Sequence, residues 1–259
     1  MPIDETVLNL ADVYPQDDAF KEMIDAGVFY GRKKTKTNPR MKPFIFGNRN
    51  GIEIIDLQKT AVGLQRAVAF VKEKVRNGED LVLFVGTQPA AHDLTDLVKE
   101  FNAPTVTNRW IGGTLTNFKT ISKLIERLKS LKSDRAMGLH DKYTKKERLT
   151  LEREVARLEN LVGSLHTLTR LPDILLVIDS KFHTTAVREA TRLHIPMVAF
   201  DNTDANPDHT DYMVVGNNAA RGSVKWFLEK IAEAIHEGKR EAAKLVTEEK
   251  TGEVKEVIK

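Results

Sequence analysis

The chain is predicted to fold as an α/β protein of Rossmann-like or flavodoxin-like type. A parallel sheet should carry helices on both faces, with an antiparallel helical hairpin, a short coiled coil, inserted between its halves. From Leu57 onward helical and extended segments alternate, as parallel strands joined by crossover helices require. Runs such as Leu81-Val82-Leu83-Phe84-Val85 are continuously apolar, which marks strands buried on both sides. Between Asn117 and Leu168 the alternation gives way to two heptad-like stripes, Phe118, Ile121, Ile125, Leu128 and Leu151, Val155, Leu158, Val162.

Each element has a local cause. The first nineteen residues are acidic, contain Pro2 and Pro15 and show no period, so 1–19 is expected to be a flexible arm. Phe20 to Ala26 should form a short helix that Gly27 stops. Phe44-Ile45-Phe46 and Ile52-Glu53-Ile54-Ile55 flank a turn containing Asn50-Gly51, the signature of a β-hairpin. Leu57 to Arg76 is a helix ended by Asn77-Gly78. Pro89 to Phe101 follows as a helix and Thr105 to Thr107 as a short strand, completing a first α/β part over 20–116. The hairpin insertion spans 117–168, reversing through Ser133 to Thr144, where Asp134, Gly138 and Asp141 supply turn chemistry. The second α/β part, 169–238, comprises strand Ile174 to Ile178, helix Thr184 to Leu193, strands Met197 to Phe200 and Met213 to Val215, and helix Ala219 to His236. The charged, aromatic-poor stretch 239–259 is expected to be disordered.

Composition excludes several classes of function. The 259 residues, 41% of them hydrophobic, suffice for a real core, and no run approaches the ~20 apolar residues of a membrane helix. The N-terminus reads neither as a signal nor as a transit peptide, so a cytoplasmic protein is expected. With no cysteine there is no disulfide, thiolate metal site or cysteine nucleophile. The net charge of +3 hides a segregation. Val28 to Ile52 holds seven basic residues and no acid, and Lys119 to Glu159 holds twelve basic against seven acidic, so two cationic segments sit on an otherwise acidic body. That pattern concentrates a polyanion at chosen faces.

The stretch Gly31-Arg32-Lys33-Lys34-Thr35-Lys36-Thr37-Asn38-Pro39-Arg40-Met41-Lys42 interleaves cations with small polar residues and lacks apolar periodicity. It is expected to be an extended arm reaching successive phosphates, which position a protein on nucleic acid without reading bases. The candidate RNA-binding residues are Arg32, Lys33, Lys34, Lys36, Arg40, Lys42 and Arg49, then Arg109 and Lys119, and Lys142, Lys145, Lys146 and Arg148 at the hairpin tip. In Asn108-Arg109-Trp110-Ile111-Gly112-Gly113-Thr114 the paired glycines precede a helix and leave main-chain N–H groups for an anion, while Trp110 is read as packing. Val85-Gly86-Thr87-Gln88 ends a buried strand where α/β sheets bind ligands, but it lacks both GxGxxG and a P-loop lysine. Asp179, Asp201, Asp204, Asp208 and Asp211 could hold a cation, yet Asn202, Asn206 and Pro207 among them indicate turns. No cofactor, metal or catalytic residue is expected.

Several runs, in order along almost the whole chain, resemble the bacterial small-subunit ribosomal protein two family. They include Asn38-Pro39-Arg40-Met41-Lys42-Pro43-Phe44, Ile55-Asp56-Leu57-Gln58-Lys59-Thr60, Leu83-Phe84-Val85-Gly86-Thr87, Leu171-Pro172-Asp173, Glu189-Ala190 and Ile195-Pro196-Met197. The most specific is Asn108-Arg109-Trp110-Ile111-Gly112-Gly113-Thr114-Leu115-Thr116-Asn117-Phe118. The resemblance implies a structural protein of the small ribosomal subunit, bound to its RNA between head and body. Neighbouring small-subunit proteins would be its partners, with a docking role toward ribosomal protein one in bacteria that have it. Neither a membrane nor a second copy of the chain is implied. Where the family carries His-Phe-Gly-His this chain has Phe29-Tyr30-Gly31-Arg32, so a role resting on those histidines does not transfer. The rivals are a flavodoxin-like or sugar-phosphate-binding enzyme built on Gly86 and Asp201, and a coiled-coil adaptor that binds proteins only.

Overall fold

The computed structural model describes residues 17–92, 94–100 and 103–257, so the first sixteen residues of the expected arm lie outside it. Helix α1 (Asp18–Asp25) ends where Gly27 takes φ +70°, a left-handed conformation open to glycine. Strands β1 (Tyr30–Lys33), β2 (Ile45–Arg49) and β3 (Ile52–Ile55) form an antiparallel sheet in the order β1-β3-β2. The β2–β3 turn puts Asn50 at φ 51° and Gly51 at 78°, the two positive values that an Asn-Gly hairpin turn demands.

The basic segment is not an extended arm. After β1 it runs through two 3-10 turns, Lys34–Lys36 and Pro39–Phe44. Main-chain pairing accounts for this: Lys34 N–H donates to Gly51 O at 3.0 Å and Asn38 N–H to Thr203 O at 3.0 Å. Met41 is buried against Ile55 and Val215, anchoring the segment in a small apolar cluster that its composition does not advertise.

Five parallel strands form the main sheet: β4 (Val82–Val85), β5 (Thr105–Val106), β6 (Ile174–Ile178), β7 (Met197–Asp201) and β8 (Tyr212–Val215). Their order is β5-β4-β6-β7-β8, the flavodoxin-like arrangement in which the second strand flanks the first and the rest follow on the other side. Side chains alternate between the faces, as the period of a strand requires. Val82, Phe84, Ile174, Leu176, Val198 and Phe200 enter one core, while Leu83, Val85, Leu175, Val177 and Met197 enter the other. The first core is covered by α1, α2 (Leu57–Arg76), α3 (Pro89–His92), α4 (Thr95–Lys99) and α8 (Arg221–Val257). The second is covered by α5 (Phe118–Ala136), α6 (Lys145–Val162) and α7 (Thr184–Arg192).

Helix α2 has the predicted bounds, capped by the Asp56 carboxylate accepting from Gln58 N–H at 3.0 Å. The single helix expected over Pro89 to Phe101 is instead the two short helices α3 and α4. The final helix runs to Val257 through the stretch expected to be disordered. Its Ala, Glu, Lys and Arg content favours helix, and contact with α2 holds the turn where disorder was expected to begin. There Lys72 Nζ meets Glu237 at 3.1 Å and Glu241 at 2.8 Å, and a Cβ on Gly238 would lie 2.8 Å from Lys72 O. Helices α5 and α6 bury Ile121, Ile125, Leu128 and Leu131 on one and Val155, Leu158 and Val162 on the other. Arg127 pairs with Glu154 at 3.2 Å and Lys132 with Glu159 at 2.7 Å, joining the two helices.

Candidate nucleic-acid interface

The three-stranded sheet sets the spacing of the basic side chains. In register, Lys33 of β1 lies opposite Ile52 of β3, which lies opposite Arg49 of β2. Lys34 follows beside the hairpin turn, and Ile52 is itself 37% exposed, so cations surround an apolar patch at this edge. Lys33, Lys34, Lys36, Lys42 and Arg49 are all exposed, and none is in an ion pair among the described residues. They are therefore free to meet an outside polyanion.

Arg32 and Arg40 differ, because carboxylates distant in sequence reach them. The Arg32 guanidinium donates to Asn218 Oδ1 at 2.9 Å and lies 3.8 Å from Asp179 and 3.6 Å from Asp204. Its main-chain N–H donates to Thr203 Oγ1 at 3.0 Å. It acts as a clamp between the small sheet and the main one. Arg40 pairs with Asp208 on the surface. Arg109 and Lys119 are exposed on the loop before α5 and on its first turn. Lys142, Lys145, Lys146 and Arg148 are exposed where the chain passes from α5 into α6, whose first turn is fixed by a Thr144 and Glu147 capping box. The candidates thus fall into one group on the small sheet and the 3-10 turns beside it, another at the α5–α6 turn, and a third, Arg109 and Lys119, at the start of α5.

The anion expected at the paired glycines is supplied by the protein itself. Glu189 of α7, 8% exposed, accepts from Gly113 N–H at 2.8 Å, Leu115 N–H at 3.0 Å, Thr116 N–H at 3.2 Å, Thr116 Oγ1 at 3.3 Å and Trp110 Nε1 at 3.0 Å. Gly113 sits at φ +90°, which lets the loop wrap the carboxylate. Burial alone would raise the Glu189 pKa, but these hydrogen bonds together hold it below the usual carboxylate range. No place remains there for an outside anion, and Trp110 packs as expected. The residue was detectable in principle: on α7 it shares a face with Ala186 and Ala190, and a carboxylate on an apolar face requires donors.

The crevice at the carboxyl ends of the strands is also filled from within. In this strand order ligands bind between β4 and β6. Here Gln88 donates to Asp179, and Thr87 Oγ1 bonds His183 Nε2 at 3.0 Å. Burial pushes the His183 pKa down, favouring the neutral ring. The Asp201 carboxylate accepts from Ser180 N–H and Oγ at 2.7 Å each. Its burial, with the Asp179 and Asp204 charges and against the Ser180 hydrogen bonds, raises its pKa to about 7. Asp204 is met by Lys181 at 3.0 Å, and Asp211 accepts from Met197 N–H at 2.9 Å. The acids read as a possible cation site thus each have an internal partner, and among the described residues no group of three or more metal-ligating side chains comes together.

Comparison with known proteins agrees with this geometry. The family described as ribosomal protein S2 matches residues 23–238, which takes in both sheets and all the elements between them. A protein named small ribosomal subunit protein uS2 from Desulfatibacillum aliphaticivorans is 44% identical over 226 residues, 87% of this chain and 76% of its own. Its namesake from Geotalea uraniireducens is 42% identical over 84% of this chain and 85% of its own. That from Pseudoalteromonas atlantica is 40% identical over 89% and 95%. An α/β body with its ligand crevice plugged, free cations on an appended sheet and a family match across both halves lead to one assignment: the chain belongs to the ribosomal protein S2 family.

Proposed function

We propose that this protein is a structural constituent of the small ribosomal subunit, holding its RNA by charge and shape and doing no chemistry. The observation that carries this is the row of unpaired cations on the small sheet, Lys33, Lys34 and Arg49 around Ile52, in a member of this family. Such a row suits phosphates at intervals along a backbone. Its relatives are named for the small subunit, and as part of that particle the chain works in the bacterial cytoplasm. An enzyme reading loses its site, since Arg32, Gln88 and Ser180 occupy the Asp179 and Asp201 carboxylates that a substrate or cation would need.

The finer reading assigns α5 and α6 to an antiparallel coiled-coil hairpin inserted at 117–168 between α/β parts at 20–116 and 169–238. The buried stripes of the two helices, which enter one shared apolar core, support it. Lys142, Lys145, Lys146 and Arg148 form a second RNA contact at its tip. The site lies between head and body of the subunit, among neighbouring small-subunit proteins and, where present, ribosomal protein one, with a single copy of this chain. Sedimentation tests the reading: the protein should travel with small subunits at moderate salt and leave them at high salt. Slow sedimentation as free protein at moderate salt would overturn it.

A further inference from the structure

An open cleft of about 490 Å³ lies between α7 and the loop that follows β7. Its floor is Val187, buried at 5% exposure, with Thr184 and Thr191 on the same helix. Arg188 and Arg192, one turn apart, stand on its rim, both exposed and neither in an ion pair among the described residues. His209 lines it from the loop side. The carboxylate lining it, Asp204, is already met by Lys181 at 3.0 Å and Arg32 at 3.6 Å. The cleft therefore combines an apolar floor with an uncompensated cationic rim. Asn38, between Lys36 and Arg40 of the basic segment, also lines it.

We infer that this cleft receives one unstacked RNA nucleotide, its base against Val187 and the threonine methyls and its phosphate held by Arg188 and Arg192. The inference rests on the RNA-binding reading above and adds a site to it. Single-stranded and bulged nucleotides are what proteins recognise in RNA, and guanidinium planes both stack on bases and pair with phosphates. An acidic peptide would satisfy the rim charge equally. Continuity through Asn38 with the free Lys33, Lys34 and Lys36 favours RNA, because one strand can follow the lysines and turn its next base into the cleft.

The chain has no cysteine, so Thr191→Cys creates a unique anchor at the cleft and Glu73→Cys one on the outer face of α2. Each full-length protein, labelled with a benzophenone maleimide, is bound to deproteinised small-subunit RNA and irradiated. The Thr191→Cys protein should crosslink at one or two neighbouring nucleotides, well above the Glu73→Cys background. Adding R188A/R192A should abolish that excess and lower the salt slope of binding by ~0.7, the contribution of the one phosphate that the two arginines share. Circular dichroism of R188A/R192A checks that the exposed replacements leave the fold intact. The inference is overturned by crosslinking equal to background, or by an unchanged slope in R188A/R192A while K33A/K34A/K36A lowers it. Crosslinks that form in assembled subunits but land on protein would assign the cleft to an acidic protein partner and overturn it too. Absence of any RNA binding by the unaltered protein would instead remove the RNA-binding reading and this site together.

Discussion

Replacing Glu189 with alanine removes the single acceptor of five hydrogen bonds that hold residues 110–116 against α7. The cost follows from what water can replace. Leu115 is buried, so its N–H loses its partner outright, at about 1–3 kcal/mol. The half-buried Trp110 and Gly113 and the exposed Thr116 donors can turn to water, losing about 0.5–1.5 kcal/mol each. The expected destabilisation is ~3–9 kcal/mol, and Glu189→Gln, which keeps one acceptor oxygen, should cost roughly half of that. Urea unfolding followed by far-ultraviolet circular dichroism measures both. The parent should show a further trait. Its Glu189 pKa is depressed in the folded state, so this stabilisation is present above the unfolded carboxylate value and is lost as pH falls through the folded one. The gap between parent and Glu189→Gln should therefore narrow below about pH 4. Destabilisation within 0.5 kcal/mol of zero, roughly the scatter expected of a neutral surface change, would refute the claim that this carboxylate organises the loop.

Asp201, with its pKa raised to about 7, has the opposite sign: stability is full below the unfolded value and falls as pH rises toward 7. Asp201→Asn should flatten that fall, which reaches at most ~4 kcal/mol, and parallel unfolding series at pH 4 to 8 would show it. Ile125→Ala should cost ~2–5 kcal/mol, because Ile125 is 3% exposed in the core shared by α5 and α6; thermal melting gives the value. Lys145→Glu with Lys146→Glu places acids in the first turn of α6, so helicity should hold while occupancy in reconstituted small subunits drops; equal occupancy would remove the α5–α6 turn from the RNA contacts.

Local pattern reached some of this protein and stopped where partners are remote. Alternation placed β4, β6, β7 and α2 because a buried run or an amphipathic period reports its own burial. The helical stripes were one step short, since Leu131 rather than Phe118 belongs to the fully buried set. The basic segment looked like an unpaired arm because Asp179, Asp204, Asp208 and Thr203, which fold it back, lie more than 140 residues away. The paired glycines correctly signalled an anion and wrongly suggested that it came from outside, since nothing in the loop points to Glu189, 76 residues on. The cleft beside α7 left no motif, because its walls come from three separate stretches and its floor is one ordinary valine.

The central claim is that unpaired cations on the small sheet neutralise RNA phosphates. It is tested most directly by the salt dependence of binding to small-subunit RNA for the parent and for K33A/K34A/K36A. Removing three phosphate contacts should lower the slope of log affinity against log salt by ~2 to 2.7, with the unfolding transition unchanged. A variant that binds more weakly at every salt concentration along the parent's slope would contradict it.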